Sequence, residues 1–265
     1  MTGLVFFPLE GLPEITPGCD LASLLWDSLC PYLPLRSGDL LVITHKAVSK
    51  AAGLVTRLET VEPSPQAQKA AMLCHKDPRL VELMLRCSEK LYACARNILI
   101  AVRQDGWVCC NAGLDHSNAG GQDQVVLLPD DCDRRARELS ETLSGQAGLL
   151  LPVLICDTQG RILRNGTTGV VVGSFGLSPI RTYMGQTDRD SRPLVSTQEA
   201  VADELAGAAT LVMGQGDEGI PAVLVRGCSL PFVPADSKAL RRPEELQLYR
   251  PQGVSFVSGE EENAT

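Results

Sequence analysis

Two kinds of hydrophobic pattern run along the chain. Leu40–Thr44 and residues 149–156 are apolar almost without interruption, which predicts strands buried on both faces. Shorter apolar runs at 4–7, 169–173 and 222–225 predict three more core strands. Residues 98–102 and 107–110 flank Arg103-Gln104-Asp105-Gly106, and Asp-Gly between apolar runs predicts a hairpin. Helical spacing runs through Leu21–Leu29. Ser64-Pro65 opens a helix carrying Ala67, Ala70, Ala71 and Leu73, and Pro78 starts another with Leu80, Leu83, Met84 and Leu85. Asp130 or Asp131 caps a helix reaching about Leu143. Thr197 is expected to cap one with Ala200, Leu205, Ala208, Leu211 and Val212 on its apolar side. Strands and helices mix without strict β-α-β alternation, so the expected class is α+β, with mixed sheets and flanking helices.

Composition narrows the function classes. The chain has 265 residues, 44% hydrophobic and 21% charged, enough to bury a core in one large domain or two lobes. Residues 1–250 are taken as that body. Residues 251–265 turn polar and acidic and are expected to be a disordered tail. The net charge of -8 argues against sequence-independent binding to nucleic acid. Ten cysteines form no C-x-x-C pair, and most sit in apolar stretches, so they read as reduced core thiols. Adjacent Cys109 and Cys110 would point to opposite faces of a strand. The first residues lack a basic region, and no apolar stretch approaches the ~20 residues of a membrane span. No membrane partner is expected, and the expected compartment is the cytoplasm.

Candidate chemistry gathers in polar segments after the apolar runs. Asp157-Thr158-Gln159-Gly160-Arg161 follows a core strand and reads as a loop in which a carboxylate beside a hydroxyl holds a hard cation. Asp115-His116-Ser117-Asn118 offers a second carboxylate with an imidazole, a hydroxyl and an amide. Two such segments suggest one shared Mg²⁺ or Mn²⁺ site, provided that they converge. Gly214-Gln215-Gly216-Asp217-Glu218-Gly219 lies between a helix and a strand, where backbone N–H groups can line an anion nest. It is neither a Walker A loop nor a dinucleotide fingerprint. Lys46 and Lys50 lie just past the 40–44 strand, within reach of a phosphate. Arg161 and Arg164 can clamp a carboxylate or phosphate, whereas Arg226 can equally pair with a structural Asp. His75 has no partner motif and reads as structural.

Taken together, these segments resemble the coenzyme F420-0:L-glutamate ligase (gamma-glutamyl ligase) family. The resemblance runs over roughly residues 4–230. It is carried by Pro8-Leu9-Glu10-Gly11-Leu12-Pro13-Glu14-Ile15, by Gly38-Asp39 through Val48-Ser49-Lys50 with Ala52-Gly53, and by Pro63-Ser64. It continues with Asn111-Ala112-Gly113-Leu114-Asp115-His116-Ser117-Asn118, Asp157 to Arg161 with Arg164 and Gly166, and Ala202-Asp203-Glu204-Leu205. Met213-Gly214, Gly219-Ile220-Pro221-Ala222 and Val225-Arg226-Gly227 complete it.

The resemblance implies a ligase that uses GTP to activate the carboxylate of coenzyme F420-0 as an acyl phosphate. The amine of L-glutamate then attacks, releasing GDP and phosphate, and further gamma-linked glutamates can follow. It implies Mg²⁺ or Mn²⁺, with K⁺ as an accessory cation, and an intertwined homodimer. Carried over residue by residue, Asp115, Asp157, Thr158 and Gln215 fall at metal positions. Gly11, Leu12, Pro13, Glu14, Ile15, Thr44, His45, Lys50, Asn118, Met213, Gly214, Gln215, Gly216 and Gly219 fall at nucleotide positions, and Asp115, Asp157 and Arg161 at catalytic ones. Three positions depart from the family pattern. His45 stands where a small hydroxyl residue is usual, Gln215 where a Glu is frequent, and Ser191 where a glycine is usual. They leave open an amino-acid ligase of the same fold acting on a folate- or pterin-like acceptor, or a nucleotide- or flavin-binding module without ligase activity.

Overall fold

The computed structural model describes residues 3–93, 98–161, 163–247, 254–257 and 260–263. In chain order the elements are β1 (Val5–Pro8), α1 (Leu21–Leu29), β2 (Leu40–Thr44), α2 (His45–Ala51), β3 (Val55–Arg57), α3 (Pro65–Cys74) and α4 (Pro78–Arg86). There follow β4 (Ser88–Ala93), β5 (Leu99–Arg103), β6 (Val108–Cys110), β7 (Gln124–Val126), α5 (Cys132–Ala147), β8 (Val153–Arg161) and β9 (Arg164–Phe175). The last are β10 (Arg181–Thr182), β11 (Gln198–Glu199), α6 (Val201–Met213), β12 (Ala222–Arg226), β13 (Val254–Val257) and β14 (Glu260–Asn263). The chain divides into two compact units. One holds Met1–Ile15, Asp20–His45 and Cys132–Leu240, the other Thr16–Cys19, Lys46–Asp131 and Arg241–Thr265.

In the first unit the five apolar runs become one sheet, in the order β1-β12-β2-β8-β9. Every neighbouring pair is antiparallel except β2 and β8, which run parallel. Helix α6 covers one face, packing Leu205, Ala206 and Ala209 against Leu40, Val42, Leu154, Val171 and Val223. Residues of the opposite parity, Leu41, Ile43, Val153 and Ile155, are equally buried. Burial on both faces is why these strands lack polar alternation. Helix α5 packs on β8 and β9, and two glycines show how closely helices approach this ribbon. A Cβ on Gly169 would lie 2.6 Å from the Ala206 carbonyl of α6, and one on Gly173 would lie 2.4 Å from Cys132 of α5. Between them the β8–β9 register skips Val172, a bulge that turns the following residue to the other face.

The second unit centres on a five-stranded antiparallel sheet, β14-β13-β4-β5-β6, with β3 and β7 as a separate pair. The helices α3 and α4 start where expected. Ser64 accepts from the Ala67 N–H at 3.2 Å, Asp77 accepts from the Arg79 N–H at 2.9 Å, and a proline fills the first turn of each. Their apolar sides bury Ala67, Ala70, Leu80, Val81 and Met84 with Leu91, Leu99, Ala101 and Val125. The Asp105-Gly106 hairpin forms, Cys109 is buried and Cys110 is exposed. The fully buried Arg103 lies beneath it, donating to the Ala112 carbonyl at 3.0 Å and the Pro129 carbonyl at 3.1 Å.

Several expectations need correction. The segment Asp157–Arg161 is not a loop but the second half of strand β8, paired with β9. Cross-strand pairing overrides the turn tendency of Gln-Gly, because the partner strand is long enough to continue the ladder. Strand β8 begins at Val153, after Pro152. Thr197 caps no helix: Gln198–Glu199 pairs with Arg181–Thr182 first, and α6 starts after Ala200. Helix α2 was not foreseen, since seven residues are too few for a clear period. The expected tail, 251–265, falls partly outside the described residues; where described, it carries β13 and β14.

Candidate functional site

Within the first unit, chemistry lies at the carboxyl ends of the two parallel strands. The register pairs Thr44 of β2 with Cys156 of β8, which sets the next residues, His45 and Asp157, side by side. His45 Nε2 lies 3.4 Å from Asp157 Oδ1. The ring is 1% exposed, and neither of its nitrogens has a hydrogen-bond partner among the described residues. An unmet buried polar atom costs ~1–3 kcal/mol, so a ligand that takes it up recovers that loss.

Asp157 itself is well held. Its Oδ1 accepts from the Thr158 N–H at 2.7 Å and its Oδ2 from the Gln159 amide at 3.3 Å. Burial pushes the carboxyl up, but the His45 imidazole, the Thr158 N–H and the Gln159 amide outweigh it, and the pKa falls below the ordinary carboxylate value. The carboxylate is therefore kept ionised in a largely buried place. The bulge near Asp157 frees the Val171 N–H, which donates to Asp203 of α6 at 2.8 Å. Desolvation raises the pKa of Asp203 above the ordinary value, against the Val171 N–H, which lowers it. No sequence signal marked this bond, although Asp203 belongs to a family-like segment.

Gly214, Gln215, Gly216 and Gly219 form the turn after α6, with Gly214 as its cap at φ 73°. The anion nest expected here is taken by the chain's own Glu218. Its carboxylate accepts from the Gly216 N–H at 2.7 Å and lies over Gly214, where any Cβ would collide with it. The N–H groups of Glu218 and Gly216 hold the Glu218 carboxyl below its usual value. Gln215 is exposed, so Glu218, which sequence reasoning passed over, carries an acid group on this turn. Met213 is buried at the end of α6. Gly11, Pro13 and Glu14 are exposed after β1, Leu12 is half-buried and Ile15 is buried. Arg161 donates to the Asn165 carbonyl at 3.1 Å and is otherwise exposed. Arg226 is structural: it grips the buried Asp39 at 2.8–3.2 Å and the Tyr32 carbonyl at 2.9 Å.

Within the second unit, Asp115 is locked by its backbone, which exchanges hydrogen bonds with Val126 at 3.1 and 2.8 Å. Lys46 Nζ lies 3.1 Å from Asp115 Oδ2 and 3.0 Å from Ser117 Oγ, and the Ser117 N–H donates to Asp115 Oδ1 at 2.7 Å. Burial raises the Asp115 carboxyl, but Lys46 and Ser117 bring it below its usual value. Lys46, rather than Lys50, is thus the lysine on this carboxylate. Asn111, Ala112 and Gly113 all take left-handed backbone just before Asp115, with φ of 52°, 56° and 70°. Asn118 is left-handed too, at φ 54°.

A divalent cation fits these carboxylates in kind: both are ionised, and His45 brings an orphaned buried nitrogen beside one of them. No three His, Cys, Asp or Glu side chains gather among the described residues. A cation held by a single carboxylate completes its shell with water and phosphate, as Mg²⁺ usually does. No described helix is long and apolar enough to cross a membrane.

Comparison with known proteins places this arrangement. Residues 11–227 match the family described as F420-0:Gamma-glutamyl ligase. A protein of Methanothermobacter thermautotrophicus named coenzyme F420:L-glutamate ligase is 42% identical over 251 residues, spanning 94% of this chain and 99% of that one. A protein of the same name from Methanopyrus kandleri is 43% identical over 86% of this chain and 89% of its own length. A third, from Methanocaldococcus jannaschii, is 34% identical over 84% and 88%. The chain belongs to the F420-0:gamma-glutamyl ligase family.

Proposed function

We propose that the chain joins L-glutamate through an amide bond to the carboxylate of coenzyme F420-0, using GTP and releasing GDP and phosphate. The observation that carries this reading is the Asp157 carboxylate. It is partly buried yet held ionised at the end of a parallel strand pair, in a chain that matches coenzyme F420:L-glutamate ligases over nearly their whole length. A carboxylate does not react with an amine unaided, because its oxygen is a poor leaving group. Transfer of the γ-phosphoryl group to it makes an acyl phosphate and GDP. The unprotonated glutamate amine then attacks the acyl carbon, and inorganic phosphate departs.

When bound, Mg²⁺ or Mn²⁺ neutralises the charge on the phosphates and on the oxygen that leaves. Asp157 and Thr158 are proposed to hold it in the first unit, and Asp115 keeps the metal role that the family resemblance gives it. Gly11 to Ile15, Thr44 and the Met213–Gly219 turn are proposed to contact the nucleotide. On that turn a phosphate must displace the Glu218 carboxylate from the Gly216 N–H. Lys50 and Asn118 are proposed as further nucleotide contacts, and Arg161, whose guanidinium is largely exposed, as a clamp on the acceptor or glutamate carboxylate. A homodimer belongs to the same reading and is checked by light scattering.

The test is turnover with purified protein, GTP, L-glutamate, Mn²⁺ or Mg²⁺, and coenzyme F420-0. The expected result is glutamate-dependent GDP release and a product heavier by one glutamyl group. Asp157→Asn should abolish both with the far-UV circular dichroism unchanged. No glutamyl product from the parent protein would refute the proposal, and near-parent activity of Asp157→Asn would remove Asp157 from it.

A further inference from the structure

We propose that the His45 imidazole is itself a metal ligand, forming with the Asp157 carboxylate a nitrogen–oxygen pair that favours a transition-metal cation over Mg²⁺. Three observations carry this. The parallel register of β2 and β8 brings the two residues together through the backbone of the sheet, so their proximity does not depend on flexible side chains. The imidazole is 1% exposed and has no hydrogen-bond partner on either nitrogen among the described residues, although a buried ring normally finds one. The separation of 3.4 Å between Nε2 and Oδ1 is longer than that of a well-formed hydrogen bond. It suits two donors on one ion instead. Donors bound side by side at ~2.0–2.2 Å, at angles from 90° to tetrahedral, lie roughly 3.0–3.5 Å apart.

The chemistry of the pair sets the choice of ion. Carboxylate and water suit Mg²⁺, whereas neutral imidazole suits Mn²⁺ less than Co²⁺ or Zn²⁺ but all of these more than Mg²⁺. Thr158 and Gln159 fix the carboxylate from the side, leaving its remaining lone pairs for the ion. The inference rests on the metal dependence proposed above, but it assigns His45 to the cation rather than to the nucleotide.

The test uses metal-free protein and Mn²⁺ alone, read by electron spin-echo modulation. The expected result is a coupled ¹⁴N nucleus that becomes ¹⁵N when the protein is made with ¹⁵N-histidine. The chain has two other histidines, His75 and His116. The coupling should persist in His75→Gln and His116→Gln and vanish in His45→Gln. Mn²⁺ affinity should fall at least about tenfold in His45→Gln, with Mg²⁺ affinity changed less than about threefold. Absence of histidine coupling in the parent protein overturns the proposal without reference to any variant, and so does coupling that survives His45→Gln. Because the readout is spectral, it stands or falls apart from ligase turnover: an inactive protein with His45 coupling would sink the proposed reaction and leave this ligand in place.

Discussion

Replacing Arg103 by Met removes a guanidinium from the interior of the second unit while keeping most of its apolar stem. Arg103 is 1% exposed and reaches two carbonyls, Ala112 at 3.0 Å and Pro129 at 3.1 Å, with Asp105 at 3.3 Å. The Ala112 carbonyl belongs to the left-handed turn that leads into Asp115. Left-handed backbone costs an alanine ~1–2 kcal/mol, so the turn persists only while its surroundings hold it. Hydrogen bonds from a charged group are worth ~1.5–3 kcal/mol each, and the two carbonyl bonds therefore predict a loss of roughly 3–6 kcal/mol. The stem that Met retains favours the lower end. Arg103→Lys brings one ammonium that cannot span both carbonyls, and should lose about half as much.

Urea unfolding followed by Trp107 fluorescence measures this. Trp107 sits on the same hairpin with the Arg241 guanidinium 5.1 Å over its ring, and a Trp26→Phe background removes the other tryptophan. Mn²⁺ binding should also weaken in whatever fraction of Arg103→Met remains folded, because Asp115 loses its support. A change under about 1 kcal/mol, or Arg103→Lys matching the parent, would refute the assignment.

Two further outcomes follow from the packing. Gly173→Ala drives a Cβ to 2.4 Å from the Cys132 backbone, which cannot swing aside as a side chain can, and should cost at least ~2 kcal/mol in urea unfolding. Asp77→Ala removes the cap of α4 and should cost ~1 kcal/mol at pH 7. The Arg79 guanidinium holds the Asp77 carboxyl below its ordinary value, so the stabilisation is present above the unfolded pKa and is lost as pH falls through the folded one. The difference between Asp77→Ala and parent should therefore shrink towards zero at acidic pH; a constant difference between pH 7 and strongly acidic solution would contradict the pairing.

Sequence alone determined where chain is buried on both faces. The runs at Leu40–Thr44, 169–173 and 222–225, and the 153–156 part of the run that starts at 149, lie in one sheet, because a strand covered on both sides admits no polar alternation. The helix starts at Ser64-Pro65 and Pro78 and the Asp105-Gly106 hairpin were equally legible, since each depends on bonds between residues two to four apart. Family membership was readable from the order of short polar segments. Tertiary structure decided what those segments became. Asp157–Arg161 reads as a loop until β9 pairs with it. The Gly214–Gly219 nest reads as vacant until Glu218 folds back into it. Lys46 and Lys50 cannot be told apart until α2 forms and turns Lys46 to Asp115. Above all, nothing within a few residues of His45 announces Asp157, more than a hundred residues away. Their meeting is set by the parallel register of two buried strands, and register is a property of the assembled sheet that neither strand encodes by itself.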